Sequence, residues 1–436
     1  MGILNLNPKR KVGIITLGCR VNQYESESLA EALQPHGYRS VPFSECCDLY
    51  IINTCAVTEE SVRKSRQMVR RAVKKNPNAI VCVCGCAAQL SPETFSAIDG
   101  VSLVFGTRNK QELIKAVAEF KQKTVSVEPP IGELSPTRIT SFNRTRAYVK
   151  IQDGCNGKCA YCIIPHVRGT VVLRSETEIV EEVRALAVSG CREVVLTGIE
   201  TAAYGERLLT LLRKIAVIDG IERIRLGSLE PSFLKPAIVD ALIAIPKVCP
   251  HFHLSVQNGS DAVLHRMRRK YNVATLERNA TYIRSVLPTV NFSADIIVGF
   301  PGETEEDFVA TAALLRRIGF LHLHVFTYSK RPGTEAAAMP EQIEESIKAE
   351  RLHRLEALAA DMKEKRLCEL ITQGEPLTIL AETFSDGCLI GHTDSFVECA
   401  VALPFGIRGE SLRGQFVRFL PKTINKGYLF GEYCRL

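Results

Sequence analysis

The chain has 436 residues, 46% of them hydrophobic and 24% charged, a balance that excludes a disordered or fibrous chain. No apolar run approaches the ~20 residues of a membrane helix. Lys and Arg number 55 against 48 Asp and Glu, a net charge of +7, which permits a nucleic-acid partner without requiring one.

Near the N-terminus, Lys9, Arg10 and Lys11 precede an apolar run at 12–17 that ends in Gly18-Cys19, superficially a lipoprotein signal. The run is shorter than a ~7–15-residue signal core, and position 6 is Leu where N-myristoylation wants Ser or Thr. The expectation is a cytoplasmic protein without a membrane anchor, whose sixteen cysteines serve as thiols and not as a disulfide scaffold.

Segment 1–127 alternates strand-like and helix-like stretches. A strand at 12–17 precedes a helix at 24–33. A strand at 48–53 precedes a helix at 59–75, with Val62, Val69 and Val73 on one stripe, and a third strand follows at 80–84. This alternation predicts an α/β domain with a doubly wound parallel sheet. Residues 128–140, with Pro129, Pro130 and Pro136, read as a linker. Across 141–367, six strands (147–151, 193–197, 224–226, 251–256, 293–298 and 322–326) alternate with helices such as 176–189 and 305–318. They predict a partial (β/α) barrel with its chemistry at the strand C-terminal ends. A helical stretch at 341–367 leads into 368–436, where short alternating runs separated by glycines predict a small all-β barrel.

Cys155, Cys159 and Cys162 form C-x3-C-x2-C in a loop containing Gly154, Asn156 and Gly157. Structural zinc favours four closed ligands, commonly in C-x2-C pairs. Three thiolates in one loop suit an iron–sulfur cluster with one iron open to another ligand. The competing readings are packed core cysteines, or three zinc ligands with a remote fourth. In the first domain Cys19, Cys55 and Cys86 each follow a strand, and the carboxyl ends of parallel strands are where such sheets bind ligands. Cys82, Cys84 and Cys86 alternate and would share one face of an extended strand. Cys82 and Cys84 read as small core residues, with Cys84 the alternative to Cys86 at a shared metal centre.

The cysteine loop, with Ile164-Pro165-His166-Val167-Arg168-Gly169, Ser228-Leu229-Glu230-Pro231, His253-Leu254-Ser255-Val256-Gln257-Asn258-Gly259-Ser260 and Asp295-Ile296-Ile297-Val298-Gly299-Phe300-Pro301-Gly302, resembles the methylthiotransferases of the radical S-adenosylmethionine superfamily. The likeness runs from near the N-terminus to the end. It implies a radical-SAM barrel whose [4Fe-4S] cluster on Cys155, Cys159 and Cys162 binds S-adenosylmethionine and generates a deoxyadenosyl radical. It implies a second [4Fe-4S] cluster on Cys19, Cys55 and Cys86, supplying sulfur that a second S-adenosylmethionine methylates. An electron donor such as flavodoxin or ferredoxin follows, with no catalytic side chain beyond the clusters. Candidate S-adenosylmethionine contacts are Tyr161, Gly198, Gln257 and Asp295, although a strand-end Gln or Asp also serves as a cap. Glu200 lies in a stretch that follows the family pattern loosely.

The C-terminal segment resembles the TRAM domain, an OB-like RNA-binding module. There Arg408, Arg413, Arg418, Lys422, Lys426 and Arg435 outnumber Glu410 and Glu432, with Phe416, Phe419 and Tyr428 nearby, a pattern for tracking phosphates and stacking bases. Basic residues on the 59–75 helix, and Arg138, Arg144, Arg146 and Lys150 without acidic company, fit the same partner. Thr16-Leu17-Gly18-Cys19-Arg20-Val21-Asn22-Gln23-Tyr24-Glu25-Ser26-Glu27 and Tyr328-Ser329-Lys330-Arg331-Pro332-Gly333-Thr334 resemble the branch acting on threonylcarbamoyladenosine. The implied reaction is methylthiolation of adenine C2 in the tRNA anticodon stem-loop. The alternatives are isopentenyladenosine in tRNA, an aspartate of a ribosomal protein or, in another class, a non-catalytic zinc-containing RNA-binding protein.

Overall fold

The computed structural model describes residues 9–132, 134, 137–142 and 144–434. Pro136 of the expected linker and Arg435 of the basic run lie outside the described residues. The chain divides into two compact units, the first of residues 9–141, 150–175 and 329–337 and the second of 142–149, 176–328 and 338–434. Among the described residues no helix is long and apolar enough to cross a membrane.

The first unit holds strands β1 (Arg10–Thr16), β2 (Tyr38–Val41), β3 (Leu49–Thr54), β4 (Ile80–Gly85), β5 (Leu103–Phe105) and β6 (Thr124–Ser126) in the order β2-β1-β3-β4-β5-β6. All neighbours are parallel. This is a doubly wound sheet whose strand order reverses between β1 and β3, the point where such sheets receive ligands. Both faces are covered. One core gathers Ile52, Val69, Ala72, Val83 and Phe95, and the other Val12, Leu29, Ile51 and Leu113. Two covered faces explain why β3 is buried at every position and reads as a continuous apolar run. The helix Glu59–Lys75 starts at Thr58, whose hydroxyl accepts from the Ser61 amide at 3.1 Å.

β4 corrects the expectation that Cys82, Cys84 and Cys86 share a face. Cys82 and Cys84 lie in the core with Val12, whereas Cys86 lies in the core with Val69. Gly85 breaks the alternation with φ +94°, and a Cβ there would stand 2.3 Å from Asn53 Oδ1, so only glycine fits. Cys86 then opens the short helix Cys86–Leu90.

The chain next forms β7 (Ala147–Lys150) and an antiparallel ribbon of β8 (Gln152–Asp153) and β9 (Val172–Leu173). In the second unit β7 is joined by β10 (Glu193–Thr197), β11 (Arg223–Leu226), β12 (His251–Gln257), β13 (Asn291–Val298) and β14 (His322–Thr327). They form two three-stranded sheets, β11-β10-β7 and β12-β13-β14, linked by isolated bridges Ile224–Val248 and Leu229–Leu254. This is the expected partial barrel.

The helix Glu345–Gln373 continues past the expected end at 367, because Leu367 and Leu370 belong to the core of the closed barrel that follows. That barrel contains β15 (Leu377–Ser385), β16 (Cys388–Thr393), β17 (Glu398–Ala402), β18 (Phe416–Asn425) and β19 (Tyr428–Tyr433) in the order β15-β16-β17-β19-β18. Phe419 lies wholly inside it, so it offers no ring to an RNA base. Phe416 packs between the guanidinium groups of Arg192 and Arg223, 5.1 and 4.5 Å from its ring centre. Arg408, Arg413, Arg418, Lys422 and Lys426 are exposed, as is Phe405 in the preceding loop.

Arg146 and Lys150 do not lack acidic partners. Arg146 pairs with buried Glu193 and with Glu382. Lys150 is buried against Glu25 and Asp153 at 3.1 and 3.3 Å. Neither is free to meet a phosphate.

Candidate cluster-binding site

Residues 153–169 build a closed loop from their own backbone. The Cys155 amide donates to the Gly169 carbonyl and the Cys162 amide to the Cys159 carbonyl, each at 3.0 Å. The Val171 amide donates to Asn156 Oδ1 at 3.1 Å. Gly154 has φ +70°, and a Cβ there would lie 2.0 Å from the Thr170 carbonyl oxygen. The Gly157 amide donates to Cys155 Sγ at 3.2 Å. A Cβ on Gly157 would fall 3.1 Å from Cys155 Sγ and 3.8 Å from Cys159 Sγ. Glycine thus keeps the space between two thiols open, and the donor set around it is sulfur.

Cys19, Cys55 and Cys86 lie immediately beyond the C-terminal ends of β1, β3 and β4. β1 and β3 are the strands that flank the order reversal, and β4 is the next along. Cys55 and Cys86 are buried. A Cβ on Gly18 would stand 3.0 Å from Cys55 Sγ, so this edge too is kept open by a glycine. Burial raises the Cys55 thiol, and Cys19 raises it further. Burial pushes Cys86 to about 12 against the pull of Arg168, with Cys55 and Cys19 adding to the rise. Cys84 sits within the opposite core.

The loop docks onto the strand ends within the same unit. Thr107 Oγ1 donates to the Val167 carbonyl and Arg108 Nη2 to the Arg168 carbonyl, both at 2.7 Å. The Arg168 side chain has 0% exposure. Its Nη1 meets Glu25 Oε1 at 3.0 Å and Asp153 Oδ1 at 2.9 Å. Its Nη2 meets Asn22 Oδ1 at 2.5 Å, and its Nε meets Cys86 Sγ at 3.2 Å. Burial alone would raise Glu25, but Arg168, Lys150 and Lys110 hold it well below the ordinary carboxylate range. Sequence reading missed this cluster. Arg168 falls in a motif downstream of Cys162, but nothing local marks partners more than 80 residues away.

A single metal ion needs its ligands ~2.0–2.3 Å from one point. Among the described residues no three His, Cys, Asp or Glu side chains are grouped for that. Three thiolates bind a four-iron cluster on three different irons and leave the fourth open, and the sulfur donors beside Gly157 and Gly18 are of the kind such a cluster takes.

Of the candidate S-adenosylmethionine contacts, Tyr161 is half-buried between Cys159 and Cys162 in the first unit. Gly198, Gln257 and Asp295 belong to the second. Gly198 follows β10 directly. Gln257 ends β12 at a register shift, with φ +65°, a strained conformation for a non-glycine residue. Asp295, mid-strand in β13, accepts from His253 Nε2 at 3.1 Å, while Ser293 Oγ lies 2.9 Å from His253 Nδ1. Glu200 shows a property that sequence cannot reveal. Burial first, and then Glu230, raise its carboxyl to about 7.

Comparison with known proteins accords with this architecture. The Radical SAM superfamily model matches residues 149–315, and the model of Uncharacterized protein family UPF0004 matches 11–106. The chain is 36% identical to the threonylcarbamoyladenosine tRNA methylthiotransferase MtaB of Bacillus subtilis, over 97% of this chain and 95% of that protein. It is 38% identical to the tRNA-2-methylthio-N(6)-dimethylallyladenosine synthase of Pelotomaculum thermopropionicum, over 86% and 87%. In fold it resembles the radical S-adenosylmethionine methyltransferase TsrM of Kitasatospora setae, with a TM-score of 0.58 at 18% identity over 76% of this chain and 77% of that one. Near-complete coverage at such identity settles the family: the chain is a member of the radical S-adenosylmethionine methylthiotransferases, enzymes that use S-adenosylmethionine and a [4Fe-4S] cluster.

Proposed function

We propose that this chain methylthiolates C2 of threonylcarbamoyl-modified adenosine beside the tRNA anticodon, consuming two S-adenosylmethionine per product. It would do so with one [4Fe-4S] cluster on Cys155, Cys159 and Cys162 and a second on Cys19, Cys55 and Cys86. The observation that carries the reading is the gathering of both cysteine trios in one compact unit, one trio in a backbone-closed loop and the other at adjacent strand ends. When bound, these cofactors supply electrons, sulfur, the radical and the methyl group.

The chain's own residues hold and shield. The Gly157 amide steadies Cys155 Sγ, and the buried Glu25, Lys150, Asp153 and Arg168 exclude water behind the loop. Tyr161, Gly198, Gln257 and Asp295 are the proposed S-adenosylmethionine contacts, and a flavodoxin or ferredoxin the electron donor. The proposed sequence domains are 1–127 for the second cluster, 141–367 for the radical chemistry and 368–436 for RNA. The exposed Arg408, Arg413, Arg418, Lys422 and Lys426 would track tRNA phosphates.

The choice of modified adenosine rests on segments 16–27 and 328–334. Relatives of both tRNA branches are similarly identical to this chain, so overall identity does not decide it. Mass spectrometry of tRNA nucleosides from a strain lacking the gene tests it. Loss of the methylthio-threonylcarbamoyl nucleoside is expected. Loss of the methylthio-isopentenyl nucleoside with the other intact would overturn the assignment. For the clusters, anaerobically prepared protein with Cys155, Cys159 and Cys162 replaced by alanine should lose about half its iron. Replacing Cys19, Cys55 and Cys86 should remove the other half.

A further inference from the structure

We propose that Arg168 is a positioning residue for the second cluster, its Nε–H donating to the Cys86 sulfur and thereby setting that cluster's reduction potential. The inference rests on the assignment of Cys19, Cys55 and Cys86 as ligands. A guanidinium with no exposure is costly to bury, and ion pairing alone is a weak reason to keep one, since apolar groups of similar volume often serve stability as well. What apolar groups cannot supply is a directed donor.

The fork is held from two sides. Nη1 spans Glu25 and Asp153, with both Asp153 oxygens within 3.0 Å. Nη2 is shared by Asn22 Oδ1 and Glu25 Oε2 at 2.5 and 3.3 Å. These contacts use the terminal nitrogens and fix the plane of the group, which leaves Nε aimed at Cys86 Sγ, 3.2 Å away.

Asn22 extends the brace. Its Nδ2 donates to the Leu17 and Thr54 carbonyls, at 2.8 and 3.0 Å, the residues just before the loops of Cys19 and Cys55. Its Oδ1 also lies 3.7 Å from Cys19 Sγ. Arg168 therefore reads the position of all three strand ends while standing in the loop of the other trio, whose Asp153 lies two residues before Cys155. Hydrogen bonds to ligand sulfurs are among the levers that set an iron–sulfur potential. An N–H donor stabilises the reduced, more negative cluster, so this contact raises the potential.

The test uses the full chain with Cys155, Cys159 and Cys162 replaced by alanine, so that only the second cluster reports. Into it is placed Arg168→Lys, which keeps the cation that Glu25 and Asp153 require but lacks the planar fork. Expected are unchanged iron and a roughly tenfold lower reduced-to-oxidised ratio at fixed potential, about 59 mV for one electron. Full iron with an unmoved midpoint would overturn the proposal and leave the cluster assignment standing. Absence of iron before Arg168 is altered would instead overturn the ligand assignment, and the proposal with it. If Arg168→Lys does not fold, a second measurement decides. Pulsed electron paramagnetic resonance of the reduced cluster, in the same alanine background with ¹⁵N-guanidino-labelled arginine, should show nitrogen coupling to the cluster. Its absence would overturn the proposal.

Discussion

Glu193→Gln isolates one buried charge, remote from either cysteine trio in sequence. Glu193 has 0% exposure on β10 and faces Arg225 Nε at 3.1 Å, Arg146 Nε at 3.3 Å and Arg223 Nη1 at 3.8 Å. Burial would raise its carboxyl, but Arg225 and Arg146 bring it from 4.5 to about 2. At 1.36 kcal/mol per unit, that depression corresponds to roughly 3 kcal/mol, within the ~3–5 kcal/mol expected when a buried pair loses one partner. The same arginines hold the C-terminal barrel. Arg225 donates to the Asp394 and Thr393 carbonyls and Arg223 to that of Thr378, so the substitution loosens the barrel seat as well. A depressed carboxyl stabilises the fold fully above its unfolded value, and that stability is lost as pH falls from about 4.5 through about 2. Urea unfolding at pH 7 should therefore show the variant weaker by roughly 3 kcal/mol, with the gap closing only under strong acid. Adding Arg225→Met should recover part of the loss. A difference below about 1 kcal/mol at pH 7, the level of an exposed pair, or one that widens on acidification, would refute the reasoning.

Glu200→Gln should behave in the opposite sense. A carboxyl raised to about 7 costs nothing below 4.5 and most above 7, so the variant should gain on wild type across that window, by roughly 3 kcal/mol at pH 8; a pH-independent difference in urea unfolding would contradict this. Gly154→Ala drives a methyl into the Thr170 carbonyl and should remove about half the iron while sparing the rest; full iron content would show that the loop tolerates it. Arg418→Ala or Lys422→Ala should weaken binding to all tRNAs alike and reduce the slope of log affinity against log salt by up to about 0.9 each, which a filter-binding series at several salt concentrations reads. Phe405→Ala should cost about 1–3 kcal/mol of tRNA affinity if a base stacks on this exposed ring, and an unchanged affinity would exclude stacking there.

Legibility followed the range of the interactions. C-x3-C-x2-C is visible because its geometry is local, and the Glu59–Lys75 helix because its stripe lies within its own length. Strands β5 and β6 have three residues each, too short for a period. Phe419 lies inward because it alternates with exposed Arg418 on β18, in a core that also holds Leu367 and Leu370 of the preceding helix. Arg146 reads as free because Glu193 and Glu382 arrive from distant segments; Lys150 has Asp153 three residues on, but only the fold brings it Glu25. Cys86 leaves the face that Cys82 and Cys84 share because period-two alternation holds only while φ stays extended, and Gly85 leaves that region.

The wide spacing of Cys19, Cys55 and Cys86 has the same topological origin as the sheet. From β1 the chain returns to β3 through the helix Arg20–Ala32 and strand β2, and from β3 to β4 through the helix Glu59–Lys75, each time after roughly 30 residues, so one residue at each of these three exits meets its counterparts with no local motif. The loop at 153–169 reaches that edge by a different route, through Arg168, Thr107 and Arg108. Separating loop from edge would keep Arg168 with Asp153 but take Glu25, Asn22 and Cys86 from the buried guanidinium, at a cost of several kcal/mol. The charge cluster therefore makes the loop and the strand ends a single mechanical element. The proposed pair of centres would gain from that, because the separation of the thiols is then set by packing and not by the mobility of a loop.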